Sequence, residues 1–138
     1  MRVRMPCVVL LILFASWASA KERFQLFTTD NGLASNSILA IRQTQDDYLW
    51  FTTSRGMVRF DGLHFQVFDA SNTPAIHGTN FVAFSLIEDG RGTVWAGTWN
   101  SGAITYREGI FRSFTTEDGL PSNQVVRIDE DRNGSIWL

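Results

Sequence analysis

Three observations in this sequence predict an all-β fold made of repeated four-stranded antiparallel units. Tryptophans recur at Trp50, Trp95 and Trp137, 45 and then 42 residues apart, and the aspartates Asp46, Asp89 and Asp131 follow with steps of 43 and 42. The apolar residues come in short runs rich in β-branched and aromatic side chains, separated by Gly, Asp and Asn clusters. No run is long enough for an amphipathic helix, so the punctuation is that of strands and turns. A fixed period of this length decides the architecture before any local reading does. Four strands in about 43 residues make one blade of a β-propeller, and the sequence holds about two and a half such blades. A solenoid is the rival, but its repeats are usually shorter or helical.

The elements follow in order. The first unit, about 32–68, contains Gly32-Leu33, Ser35-Asn36, Ile38, Ile41, Asp46, Leu49-Trp50, Gly56, Phe60-Asp61-Gly62, Phe65 and Phe68. Its strands are expected at Ile38–Gln43, Leu49–Thr53, Met57–Phe60 and His64–Phe68, with turns at Asp46-Asp47, Ser54–Gly56 and Asp61-Gly62. The second unit, about 78–114, gives Val82–Ile87, Thr93–Thr98, Ala103–Tyr106 and Ile110–Phe114, and opens less regularly. The third, about 119–138, opens like the first with Asp118-Gly119-Leu120 and Ser122-Asn123 and reaches its second strand at Ile136-Trp137. Phe24-Gln25-Leu26-Phe27 repeats the spacing of Phe65/Phe68 and Phe111/Phe114, each of which ends a unit. Residues 24–27 are therefore expected to be an outermost, closing strand whose three partners come from the far end of a complete propeller. With its ring unclosed, 21–138 expressed alone is expected to be insoluble or partly unfolded.

Residues 1–20 have the order of a secretory signal peptide: Arg2 and Arg4, an uncharged apolar run from Cys7 to Ala15, then Ala18-Ser19-Ala20. The run is shorter than the roughly 20 residues that span a bilayer, so export and cleavage before Lys21 are expected. The single cysteine, Cys7, would leave with the leader, so the mature chain has no disulfide or thiol chemistry. That chain, 21–138, carries 10 basic against 14 acidic side chains, a net charge near −4, with scattered arginines. Nucleic acid and anionic lipid need clustered positive charge and are not expected partners of this segment.

In an antiparallel blade the loop entering strand one and the turn between strands two and three share a rim. Asn31–Ser37, Asp69–Thr79, Ser54-Arg55 and Trp99-Asn100-Ser101 are thus expected on one face, and Asp46-Asp47, Asp89–Gly92, Asp61-Gly62 and Glu108-Gly109 on the other. Residues that recur in each unit serve the blade. Asn36, Asn80 and Asn123 are expected to bond local backbone at turns, and Trp50, Trp95 and Trp137 to pack between sheets. Unrepeated residues on the entry rim are the ligand candidates. Trp99 lies in a turn one residue longer than its first-unit counterpart and offers a flat apolar face to a sugar or planar molecule, with Asn100 supplying hydrogen bonds. Arg55 and His77 share that rim.

Asp129, Asp131, Asn133 and Gly134 imitate the start of a calcium loop, but the other units do not repeat the pattern, so a plain turn is expected. No carboxylate pair, Ser/His/Asp set or His/Cys cluster stands at catalytic spacing. No cofactor, metal or catalytic residue is expected in this segment.

The sequence resembles the two-component regulator propeller family. The residues that carry the resemblance are Asp118-Gly119-Leu120 with Asn123, Asp46 with Leu49-Trp50, and Gly56-Met57-Val58-Arg59-Phe60-Asp61-Gly62 with Phe65. Two departures stand out. Thr52 replaces the usual glycine, and Pro74-Ala75-Ile76-His77-Gly78 replaces the Asp-Gly-Leu opening before Asn80. The resemblance implies the N-terminal part of an extracytoplasmic sensor, on the periplasmic face of the inner membrane, in a bacterial receptor with a histidine kinase or diguanylate cyclase output. It implies a small-molecule or glycan ligand, a second copy of the chain as partner, and a membrane anchor only downstream. A secreted propeller lyase or hydrolase, or a protein-interaction scaffold, are the alternatives.

Overall fold

In the computed structural model, residues 24–77 and 81–138 are described. The leader 1–20, its cleavage point before Lys21, Cys7 and Asn80 lie outside the described residues.

The first sheet runs β1 (Ile38–Gln43), β2 (Leu49–Thr53), β3 (Gly56–Phe60) and β4 (Phe65–Phe68). The second runs β5 (Ala83–Glu88), β6 (Val94–Thr98), β7 (Ala103–Arg107) and β8 (Ile110–Phe114). In both, sequence neighbours are antiparallel sheet neighbours. A third, short pair joins β9 (Asp129–Glu130) to β10 (Ile136–Trp137). The fold is thus all-β, and each four-stranded sheet is a propeller blade. Strand boundaries agree with the sequence reading to within one residue.

Residues 24–27 form no ladder among the described residues. Phe24 and Leu26 are exposed, while the Phe27 ring lies edge-on against Phe60 and Phe65, 5.3 Å from each centroid.

Strand alternation gives each blade two faces. The main core joins Trp50 and Met57 of the first blade to Leu86, Val94, Ala96 and Ile104 of the second, with Phe68, Tyr106 and Phe111 packed beside them. We call the face that looks to the next blade trailing and the opposite one leading. Trp50 is 1% exposed because Tyr106 and Phe111 of the next blade close over it and Phe68 stacks on it at 5.7 Å. Trp95 repeats that stack with Phe114 at 5.8 Å but is only half-buried, and Trp137 is 65% exposed. Among the described residues nothing covers these two as blade two covers Trp50.

The structure corrects one equivalence. Thr44, not Asp46, is the counterpart of Asp89 and Asp131. The backbone N–H of each donates to the carbonyl four residues on, at Tyr48, Thr93 and Ser135. Asp89 and Asp131 each accept the indole N–H of the tryptophan six residues later, at 2.8 and 3.0 Å. In the first blade the Thr44 hydroxyl instead donates to Asp46 Oδ1 and the Tyr48 carbonyl.

The departure at Thr52 also has a physical account. Gly97 holds the same place in the second blade, and a Cβ there would sit 2.7 Å from the Val125 carbonyl oxygen. In the first blade the Thr52 hydroxyl donates to the Ala83 carbonyl at 2.7 Å, so a hydrogen bond replaces the close approach.

Candidate functional site

Hydrogen bonds within and between blades show which loops share a rim. On the entry rim Ser54 Oγ meets Ser35 Oγ at 3.2 Å, the Phe81 N–H donates to the Ser54 carbonyl, and the Ser101 hydroxyl donates to the His77 carbonyl. Further along, the Gly102 N–H donates to the Asn123 carbonyl and the Val125 N–H to the Thr98 carbonyl. The entry loops and the turns after each second strand thus lie side by side.

Two entry loops are built alike. Thr28 and Thr115 each cap a single 3-10 turn, Thr29–Asn31 and Thr116–Asp118, closed by Gly32 and Gly119. Asn36 and Asn123 each accept the backbone N–H seven residues earlier, at Thr29 and Thr116, both at 2.8 Å. Their amide oxygens are spent on backbone, which makes these asparagines part of the loop.

The entry loop of the second blade keeps only the beginning of that design. The Asp69 N–H donates to Asn72 Oδ1, as Thr28 does to Asn31. Beyond Thr73 the inserted segment drives Ile76 into the core, where it is 2% exposed, and leaves His77 exposed. Ile76 is a residue that sequence reasoning passed over; an apolar side chain between Pro74 and Gly78 was its only signal.

Beside this loop is the turn Trp99-Asn100-Ser101. The Thr98 N–H and hydroxyl both reach the Gly102 carbonyl, and the Ser101 N–H donates to the Thr98 hydroxyl. In the first blade, Thr53 and Gly56 close the same turn around only Ser54 and Arg55. The extra residue places Trp99 at 48% exposure, its backbone N–H donating to the Val82 carbonyl at 2.8 Å. Its ring enters none of the stacks made by Trp50 or Trp95.

Of the four sequence candidates, the structure brings the His77 segment to the Trp99–Asn100 turn through Ser101. Arg55 is exposed on the turn of the neighbouring blade, and no described bond joins it to the other three. Clefts lined by Thr93, Trp95, Thr105 and Phe114, and by Val67, Phe68, Pro74 and Phe111, contain none of the four. An indole, an amide and an imidazole on one edge can stack on and hydrogen-bond a flat polar molecule.

The opposite rim holds a second set that sequence reasoning missed. Glu88 Oε2 accepts the Gln45 N–H at 2.9 Å, and the Glu130 carboxylate accepts the Gly90 N–H at 3.1 and 2.8 Å. Each glutamate lies seven residues before its blade's tryptophan, a spacing that could have revealed it. Among charges, burial works against the Asp89 carboxylate, but the Trp95 indole and the Thr93 and Arg91 N–H groups outweigh it and hold its pKa below the ordinary range. The Trp137 indole with the Ser135 and Asn133 N–H groups does the same for Asp131. Among the described residues no group of three His, Cys, Asp or Glu could hold a metal ion, and no helix is long and apolar enough to cross a membrane.

Comparison with known proteins agrees with this architecture. The two component regulator propeller model matches residues 32–55 and 78–100. A solved structure named as the extracellular domain of hybrid two component system BT3049 from B. thetaiotaomicron is 25% identical, with a TM-score of 0.65 over 80% of this chain and 15% of that one. The corresponding domain of BT4673 from the same organism gives 25% and 0.61, again over 80% and 15%. The chain therefore spans about 15% of the length of these structures. Comparison with curated proteins finds no match.

Proposed function

We propose, for a chain that carries two component regulator propeller repeats, that it is exported and forms the first blades of the ligand-sensing propeller of a bacterial signalling receptor. The observation that carries this reading is the likeness, over 80% of the chain, to extracellular domains of hybrid two component systems. The signal-like order of residues 1–20 supports export. A histidine kinase or a diguanylate cyclase on the cytoplasmic side would give the receptor its output.

In this reading the ligand, a small molecule or glycan, meets the entry rim at Trp99 and Asn100, with His77 beside them and Arg55 on the adjoining blade. The rim varies exactly where the two blades depart from one another, and Trp99 is exposed without serving a sheet. Signalling requires that the ligand bind one receptor state more tightly than the other. Contacts to two neighbouring blades could supply that difference if their relative tilt changes between states.

The test is a Trp99→Ala receptor assayed for ligand-dependent output and for thermal unfolding. The expected result is loss of output with an unchanged melting temperature. Full output from the variant would refute the rim assignment, and a mature N-terminus other than Lys21 in the exported protein would refute the cleavage point.

A further inference from the structure

An asparagine followed by glycine is prone to lose its side-chain amide, because glycine has no β-carbon to hinder attack by its own backbone nitrogen on the asparagine carboxamide. This chain has two such dipeptides, Asn31-Gly32 and Asn133-Gly134. Both asparagines are exposed, so access to water does not separate them. Both glycines have positive φ, +103 and +79, and each backbone N–H closes a turn, Gly32 on the Thr29 carbonyl at 3.1 Å and Gly134 on the Asp131 carbonyl at 3.0 Å. The attacking nitrogens are therefore placed alike.

The carboxamides are not. Asn31 ends the 3-10 turn Thr29–Asn31, where its Oδ1 accepts the Thr28 N–H at 2.9 Å and lies 3.4 Å from the Thr28 hydroxyl. The amide is thereby turned back toward Thr28, away from the Gly32 nitrogen it would have to meet. Reaching that nitrogen means breaking the cap. Asn133 donates its backbone N–H to Asp131 Oδ1 at 2.8 Å, but its side chain makes no hydrogen bond among the described residues. It can turn toward Gly134 without losing a partner. An acid would suit the capped position, since Asp118 accepts the Thr115 N–H in the same way at 2.9 Å. What shields Asn31 is the barrier to reaction rather than the fit of the product.

We propose that Asn133 is a site of spontaneous deamidation, and that Asn31, in an identical dipeptide, is protected by the cap it makes. The Gly134 nitrogen gives up its proton and attacks Asn133 Cγ. The new C–N bond closes a five-membered succinimide as the side-chain nitrogen leaves, protonated by solvent, as ammonia. Water then opens the ring at either carbonyl, so one water is consumed for each ammonia released. Opening at one carbonyl leaves aspartate at position 133; opening at the other leaves isoaspartate, whose main chain runs through the side-chain carbon. The second product lengthens the backbone inside the turn where Asp131 accepts the Asn133 and Ser135 N–H groups and, at 3.0 Å, the Trp137 indole. Deamidation thus acts on the anchor of the third blade's tryptophan, whether or not the entry rim is a ligand site.

The test is to hold the complete protein at mildly alkaline pH, folded in buffer and unfolded in urea, and to follow both dipeptides by mass spectrometry of proteolytic peptides. Isoaspartate is scored by enzymatic methylation of its carboxylate. In urea the two asparagines should convert at similar rates. In the folded protein Asn31 should fall at least about tenfold behind Asn133, the factor expected when one capping interaction must first be broken. Equal rates in the folded protein would overturn the inference, and so would an intact Asn133 after the unfolded chain has converted. Conversion of Asn133 to aspartate with no isoaspartate would mean direct hydrolysis of the amide, and would overturn the route through Gly134.

Discussion

The two complete blades share strand order, register and the stacked tryptophan, yet differ on one rim. Their ladders superimpose element for element, including an irregularity in the innermost strand between Ile38 and Ala40 and between Ala83 and Ser85. Their entry sides diverge. Blade one is entered by a capped 3-10 turn and turns after β2 with two residues, whereas blade two is entered by a loop pinned by Ile76 and turns with three. The frame is set by contacts that each blade makes with the next, so the sequence there is constrained. On the rim the contacts between blades run through backbone groups, such as the Phe81 N–H to the Ser54 carbonyl and the Gly102 N–H to the Asn123 carbonyl, so its side chains are freer to specialise.

The comparison can be broken hardest at the turn both blades share. A Cβ at Gly102 would fall 1.9 Å from the Phe114 carbonyl oxygen, on a backbone with φ of +70. Gly102→Ala should therefore cost about 3 kcal/mol or more, read as a large drop in the denaturant midpoint. A midpoint close to wild type would mean that the turn is far looser than its bonds imply.

Ile76 tests whether the irregular entry loop belongs to the core. Ile76→Ala should destabilise by about 2–4 kcal/mol, as for other buried aliphatic truncations, while Ala75→Ser next to it should be nearly silent. Equal small effects would show that the loop merely rests on the sheet.

The aspartate that blade one lacks gives a smaller, pH-dependent effect. Because the folded-state pKa of Asp89 is lowered, its contribution is fully present above the ordinary carboxylate pKa of about 3.9 and is lost as pH falls through the folded value. Asp89→Asn should lower stability by about 1–2 kcal/mol at neutral pH and flatten the part of the acid unfolding curve below about pH 4. An unaltered acid limb would separate the carboxylate from the Trp95 indole.

The smallest stability effect is expected at Trp99. Its replacement by alanine should change unfolding by no more than about 0.5 kcal/mol, whereas Trp50→Ala should cost about 3–5 kcal/mol. Comparable losses would make Trp99 a packing residue.

Much of this was legible in the sequence because a repeat reports its own strands. Three copies of an apolar pattern ending in Trp placed every strand of both blades to within a residue. The loops were read less well. Two adjacent acids, Asp46 and Asp47, drew the alignment two residues off, although counting six residues back from each tryptophan leads to Thr44, Asp89 and Asp131. The glutamates that bridge blades were missed because a solvated carboxylate and one accepting a neighbour's N–H have the same one-letter code. The exposure of Trp99 was anticipated from a turn-length difference, since a longer turn must project something outward.

The graded exposure of the tryptophans also makes the protein its own optical probe. Trp50 is sealed between blades, and Trp95 is partly screened by Phe114 and bonded to Asp89. Trp99 and Trp137 stand open to water. With Trp17 and Trp137 both replaced by phenylalanine, an aqueous collisional quencher would act chiefly on the Trp99 indole. A molecule that settles on the entry rim would shield that emission, and one that binds elsewhere would leave it untouched, so occupancy of the rim can be followed without attaching any dye.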